Sequence, residues 1–261
     1  MADKPKEEEK GIESKIFDME DEVTDMYSSS VIYAPEGIGK TTLTSYAPGL
    51  FWIDCEDGRS SIVKTANRPR VFEASSVDEL TEIYLWLKAN EEKFDSVAID
   101  TYTEVEKWFL TDSIQQRAKK DPDKDPDMPT LPDYGKTAHR MSKLTRAFKG
   151  LNMNKFYICH ERTDKDESTG VVQKAPALLP SVMKDLNGYV DMIFYLFIKD
   201  GVRYVRTMPT RNVRAKHRIG ELPDVIELGS KIEDCSIARI MEMINKTKVK
   251  KEKKGDKKAK K

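Results

Sequence analysis

The sequence predicts an α/β domain built on a mainly parallel central sheet with flanking helices. From Tyr27 onward, short apolar strands alternate with segments of helical periodicity. The first of these strands runs straight into a glycine-rich turn that opens a helix. Two apolar runs, 191–198 and 202–208, flank Lys199-Asp200-Gly201 and predict a β-hairpin near the C-terminal end.

Taken in order, Ser29–Tyr33 is a β-branched run and reads as a strand, followed by the turn Ala-Pro-Glu-Gly-Ile-Gly and a helix over Lys40–Tyr46. Leu50–Asp54 and Arg70–Ala74 read as strands. Val77–Asn90 carries Leu80, Ile83, Tyr84 and Leu87 at helical spacing. Ser96–Asp100 is a strand of buried type, and Thr103–Lys119 a helix. Residues 120–133 hold Pro122, Pro126, Pro129 and Pro132, a density that predicts a loop. Its alternating Asp121, Asp123, Asp125 and Asp127 do not make a calcium loop: Pro126 stands where the sharp turn needs glycine, and the twelfth position lacks Glu. Tyr134–Gly150 reads as a helix, Lys155–His160 as a strand, Glu161–Ala175 as a polar loop and Ser236–Asn245 as a closing helix.

Composition bounds what such a domain can be. The 261 residues balance 45 Lys and Arg against 45 Asp and Glu, but the balance hides an asymmetry. Residues 1–26 are net −6 and residues 246–261 net +8, with ten Lys in the latter. Both stretches carry too little apolar surface to offset chain entropy, so disorder is expected there, with residues 27–245 forming one domain. A lysine block of this kind either contacts nucleic acid or keeps the chain soluble. Cys55, Cys159 and Cys235 are too few and too far apart for a disulfide framework or a CxxC metal pair. The longest apolar run, Val190–Ile198, falls well short of the ~20 residues that span a bilayer. The first ten residues lack the apolar stretch of a signal peptide, so a cytoplasmic protein with no membrane partner is expected.

The chemistry is concentrated in Ala34-Pro35-Glu36-Gly37-Ile38-Gly39-Lys40-Thr41-Thr42, which follows the P-loop pattern GxxxxGK[ST] apart from Ala34 at the first glycine. A chain turning from strand to helix here converges backbone N–H groups on phosphate oxygens, and Gly37 and Gly39 permit the close approach. Lys40 brings a point charge to the β- and γ-phosphates, and Thr41 a hydroxyl to Mg²⁺. Phe94–Asp100 is an apolar strand ending in an acid, the Walker B form, which makes Asp100 a second metal-site residue. The guanine signature NKxD is missing, because Asn154-Lys155 continues into Phe156-Tyr157, so ATP is the expected nucleotide.

Two further strands end in chemically apt residues: Leu50–Gly58 contains Glu56, and Phe156–His160 ends in His160. With VIYAPEGIGKTTL, FDSVAIDTYTE, the Tyr134-Gly135 helix start and Ala215-Lys216-His217-Arg218, the chain resembles the phage nucleotide-binding family of minimal RecA-like recombinases, single-strand annealing P-loop ATPases. The resemblance runs over roughly residues 29–225. It implies a RecA-like P-loop NTPase fold that binds ATP and Mg²⁺ and assembles into a ring or filament. It also implies single-stranded DNA, and a single-strand-binding protein, as partners. Carried over by position, residues 35–42 cradle the nucleotide, with Lys40 on phosphate, Thr41 and Asp100 at the metal, Glu56 as base and His160 as γ-phosphate sensor. The sequence departs from the family at Ala34, and at His160, where better-known recombinases carry Gln. The segment after His160 sets Arg162, Lys165 and Lys174 against Glu161, Asp164, Asp166 and Glu167, net −1, which gives DNA little to hold.

By itself, Glu56 also reads as a surface acid, His160 as a strand-end histidine, and Arg211, Arg214, Lys216 and Arg218 as either a solvated basic face or a set reaching a neighbouring subunit's nucleotide. The expected function is a Mg²⁺-dependent ATPase that assists single-stranded DNA annealing or recombination. The alternatives are a P-loop ATPase with no DNA substrate, such as a motor or signalling module, and a nucleotide-bound scaffold with negligible turnover.

Overall fold

The computed structural model describes residues 27–58, 68–121, 125, 127–165, 170–218, 222–231 and 234–245. The acidic arm over 1–26 and the lysine block over 246–261 lie outside the described residues.

Among the described residues, ten strands form one extended sheet. Its main path joins β1 (Ser29–Ala34), β2 (Leu50–Asp54), β3 (Arg70–Glu73), β4 (Ser96–Asp100), β5 (Asn154–Lys165), β7 (Met192–Lys199), β8 (Val202–Arg206) and β10 (Val225–Gly229) in the order β10-β8-β7-β1-β5-β4-β2-β3. β6 (Val172–Pro176) pairs with β5, and β9 (Lys216–His217) with β7. The six strands from β7 to β3 run parallel, and β8 and β9 are antiparallel to β7. Every residue of β1, β2 and β4 is buried, as expected of parallel strands covered on both faces.

Alternation along these strands sorts the core into two layers. Val31, Tyr33, Ile53, Ile99, Tyr157 and Ile193 face α2 (Val77–Lys88), α3 (Tyr102–Lys120), α4 (Leu131–Lys149) and α5 (Pro180–Tyr189). Ile32, Trp52, Ala98, Phe156 and Phe194 face Leu43 of α1 (Lys40–Ser45) and Ile237, Ile240 and Ile244 of a closing helix, α6 (237–245). The β7–β8 hairpin turns through Asp200 and Gly201, both at positive φ (51° and 77°), as a tight two-residue turn requires.

Two expectations need correction. The loop predicted over 120–133 ends early, because α4 starts at Leu131 with Pro132 in its first turn, where the missing N–H costs no helical hydrogen bond. Asp133 anchors that start: its carboxylate accepts the Thr130 N–H and hydroxyl (both 2.8 Å) and pairs with Arg117 Nε at 2.9 Å. The polar loop predicted over Glu161–Ala175 is instead largely a two-stranded ribbon. β5 runs on to Lys165 and pairs antiparallel with β6, from Glu161↔Pro176 to Lys165↔Val172. This ribbon leaves the main sheet, and most of its residues are partly or fully wetted, so no apolar alternation marks it in the sequence.

Candidate nucleotide site

The site is assembled where four neighbouring parallel strands, β1, β5, β4 and β2, end on the same edge of the sheet. Register brings their last residues side by side: Ala34 lies opposite His160, and Asp54 opposite Asp100. Ala34 is buried and has no positive φ, so alanine at the first P-loop position costs no backbone strain. Gly37 and Gly39 do require glycine, with φ of +72° and +104°. A Cβ on Gly37 would meet nothing within 4 Å, so conformation, not crowding, selects glycine there.

Lys40 is buried, and its ammonium donates to the Ala34 and Pro35 carbonyls, both at 3.1 Å. Two of its three N–H donors thus brace the loop, leaving the third for an incoming anion. Burial pulls its pKa below the usual lysine value, and the charge of Asp100 opposes this. Thr41 donates its hydroxyl to Asp100 Oδ2 at 2.8 Å. Burial pushes the Asp100 carboxyl up to about 7, against the Thr41 hydrogen bond. Thr42 is buried beside it, while Glu36 and Gly37 stand exposed at the tip and Pro35 and Ile38 form the flank.

Glu56 follows β2 in a turn built by Asp54, whose buried Oδ1 accepts the backbone N–H of Glu56 (3.2 Å) and of Gly58 (3.1 Å). Its carboxylate accepts the Thr101 hydroxyl at 2.7 Å and meets His160 Nε2 at 2.9 and 3.1 Å. Burial works to raise its pKa, but the His160 and Thr101 hydrogen bonds and the His160 charge outweigh it, so Glu56 is held below the ordinary glutamate value. His160 is fixed in turn by its backbone N–H, which donates to Thr103 Oγ1 at 3.1 Å. The structure therefore brings all five expected residues, Lys40, Thr41, Asp100, Glu56 and His160, to one edge of the sheet.

The donor set suits nucleotide and Mg²⁺. A glycine turn, a buried ammonium with a spare N–H and a Thr–Asp oxygen pair are what a triphosphate with a hard cation needs. Among the described residues, no group of three or more His, Cys, Asp or Glu is arranged to hold a metal alone.

Sequence reasoning missed Asp54, Thr101 and Thr103. The signal for Asp54 was its place two residues before Glu56, the spacing at which an Asp side chain captures backbone N–H groups. Three of the basic residues beyond the site are engaged within the protein. Arg162 pairs with Asp164 at 3.0 Å, and Lys174 donates to the Tyr195 hydroxyl at 2.8 Å and meets Glu161 at 3.4 Å. Lys216 turns inward to the Asn187 and Val190 carbonyls at the end of α5.

No curated protein is significantly similar in sequence to the chain. Among solved structures, the KaiC-like protein PH0186 of the hyperthermophilic archaeon Pyrococcus horikoshii OT3 aligns over 77% of this chain and 88% of its own, at 12% identity and a TM-score of 0.44. Among the described residues, no helix is long and apolar enough to cross a membrane. The model of the AAA domain family matches residues 26–219, from just ahead of β1 to just past β9 and so across every residue of the cradle. The fold is that of an α/β P-loop NTPase with a mainly parallel central sheet, and the chain belongs to the AAA domain family as a nucleotide-binding P-loop ATPase.

Proposed function

We propose that the protein is a Mg²⁺-dependent ATPase of the phage recombinase type, acting with single-stranded DNA in annealing or recombination and working as a ring or filament. The observation that carries the catalytic part is the Glu56–His160–Thr101 cluster beside the Thr41–Asp100 pair. Lys40 would stabilise charge on the phosphates, Thr41 and Asp100 would hold Mg²⁺, Glu56 would orient and deprotonate water, and His160 would sense the γ-phosphate. Mg²⁺ would supply charge neutralisation at the phosphate oxygens.

The DNA part rests on the resemblance and on one structural fact. β5 runs unbroken from the sheet through His160 into the exposed β5–β6 ribbon, so the nucleotide site and the ribbon share a strand. Because Arg162 and Lys174 are already paired, DNA contact falls to other cations: the exposed Arg211 and Arg218 and the lysine block over 246–261. ATP turnover is to be measured with and without a single-stranded oligonucleotide, at several protein concentrations. Stimulation by DNA supports the proposal. Turnover indifferent to DNA would assign an ATPase with another substrate, and tight ATP binding with negligible turnover a nucleotide-bound scaffold.

A further inference from the structure

At the edge of the sheet opposite the cradle, where β1 and β5 begin, cations gather. Lys149 ends α4, Lys155 lies at the start of β5 and Lys216 on β9, with Arg218 at their margin. The register that sets Ala34 beside His160 sets Ser29 beside Lys155, about 16 Å along the strands from the nucleotide site. The charge of Lys149 acts on both Lys155 and Lys216, and that of Arg218 on Lys216. Little answers them. Asp191 spends its Oδ2 on the backbone N–H and hydroxyl of Ser29, both at 2.9 Å, and Glu91 is taken by Lys88 at 2.7 Å and Asn152 at 2.8 Å. We propose that the acidic stretch over residues 16–26 of the same chain docks on this cationic patch and keeps it covered in the full-length protein.

Three observations carry the assignment. First, Lys155 is only 4% exposed, yet among the described residues it has no ion pair and no side-chain hydrogen bond. Burial pulls its pKa down to about 8, with Asp191 and Glu91 opposing and Lys149 adding to the fall. A buried cation without a counter-charge carries a cost that an incoming carboxylate relieves. Second, the chain itself leads to the patch. Tyr27, the first described residue, has its ring 5.9 Å from the Lys155 ammonium, and the Lys155 N–H donates to the Ser28 carbonyl at 2.9 Å. Asp25 stands two positions before Tyr27, within about 7 Å of chain, and Asp21 six positions before it, within about 20 Å. So short a tether gives these carboxylates a millimolar-scale effective concentration at the patch. Third, the charges match. Residues 16–26 lie outside the described residues, and their sequence holds Asp18, Glu20, Asp21, Glu22 and Asp25 with no Lys or Arg. The lysine block over 246–261 has the sign of the patch and is its rival for the same carboxylates.

The test uses the full-length protein and two variants of it: the triple substitution Asp21→Asn, Glu22→Gln, Asp25→Asn, and Lys149→Glu, each with a thermal melt. Carbodiimide coupling joins a lysine amine to a carboxylate in contact as an amide, the carbodiimide taking up the water. In the monomer fraction, peptide mapping should find Lys149 or Lys155 joined to Asp21, Glu22 or Asp25. The yield should fall about threefold or more as salt rises from about 0.05 to about 0.5 M, because the contact is a screened one. Lys149→Glu should lower the links to Lys155 as well. Acetylation by a small acylating reagent gives the second reading. The Lys149 rate, taken relative to exposed Lys107, should rise by at least about twofold in the triple variant, the scale of a few solvent-exposed ion pairs. The triple variant leaves the described domain untouched, so its result stands whatever Lys149→Glu does to folding. Links that join the arm only to the lysine block, links found only between two copies, or no links to the patch would each overturn the proposal. So would an unchanged Lys149 rate in the triple variant. Protection of Lys149 that appears only on adding a single-stranded oligonucleotide would make the patch a strand site, and the proposal would be wrong.

Discussion

Replacing Glu56 by Gln tests the catalytic cluster most directly, because the structure separates what the carboxylate does for stability from what it would do for chemistry. Its two side-chain partners are Thr101, donating at 2.7 Å, and His160, at 2.9 Å. Gln keeps an oxygen for Thr101 and loses only the charge facing His160. Both members of that pair have side chains 27% exposed, so solvent screens it and its worth is about 1 kcal/mol or less. The melting temperature should therefore move by no more than a few degrees. Nucleotide affinity should hold, since Lys40, Thr41 and Asp100 are untouched. Hydrolysis should fall by about 10²-fold or more, the scale of a lost general base and close to 3 kcal/mol of barrier. The assay is steady-state phosphate release under saturating ATP and Mg²⁺, with nucleotide binding and a thermal melt on the same preparation. Turnover at the unaltered rate in a folded, ATP-binding Glu56→Gln protein would refute the assignment and move the base elsewhere.

Three other perturbations have defined outcomes. Lys40→Ala removes the loop's ammonium and should abolish most ATP affinity in an equilibrium titration; unchanged affinity would mean the loop does not hold phosphate. Asp133→Ala breaks the Arg117 pair and the anchor of α4 together, and should cost about 2–3 kcal/mol in chemical denaturation with little effect on ATP binding. Glu106 accepts the Leu179 N–H at 2.9 and 3.0 Å, and burial pushes its carboxyl up to about 7. A folded-state value above the unfolded one penalises the ionised form. The penalty is absent below about pH 4, grows towards pH 7 and is complete above it. Glu106→Gln should therefore gain about 1–2 kcal/mol on the unaltered protein between pH 5 and pH 8, about half the full linkage value because the group is partly open to solvent. A pH-independent difference would show that the carboxyl titrates normally.

What the sequence made legible follows from how each residue works. Lys40, Thr41 and Asp100 act through their own side chains at fixed spacings from glycines or strand ends, so pattern alone finds them. Asp54 acts on the backbone of its neighbours, and Thr101 and Thr103 act by holding Glu56 and His160; such roles appear only once the strands are side by side. The placement of β5 between β1 and β4 was equally hidden. It sets His160 beside Glu56 although 104 residues separate them in the chain. Pro132 misled because proline stops a helix from within but suits its first turn. The β5–β6 ribbon escaped because a wetted two-stranded ribbon needs no apolar alternation, and β9 because two residues carry no period.

The position of β1 in the sheet has a consequence for how the protein is made. Its two neighbours are β5 and β7, and the hydrogen bonds that frame its start join Ser28 to Asn154 and Ser29 to Asp191, 126 and 162 positions downstream. At about 5–20 residues per second, a ribosome delivers the first of these neighbours roughly 6–25 s after β1 itself. Through that interval Val31-Ile32-Tyr33-Ala34 has two open edges and two apolar faces, the features that lead strands to aggregate. The phosphate loop that follows it is made at once, but Asp100 and His160 have yet to be synthesised. Yield in a heterologous host should therefore rise under conditions that restrain early association, such as low temperature and abundant chaperone, and expression trials would check it.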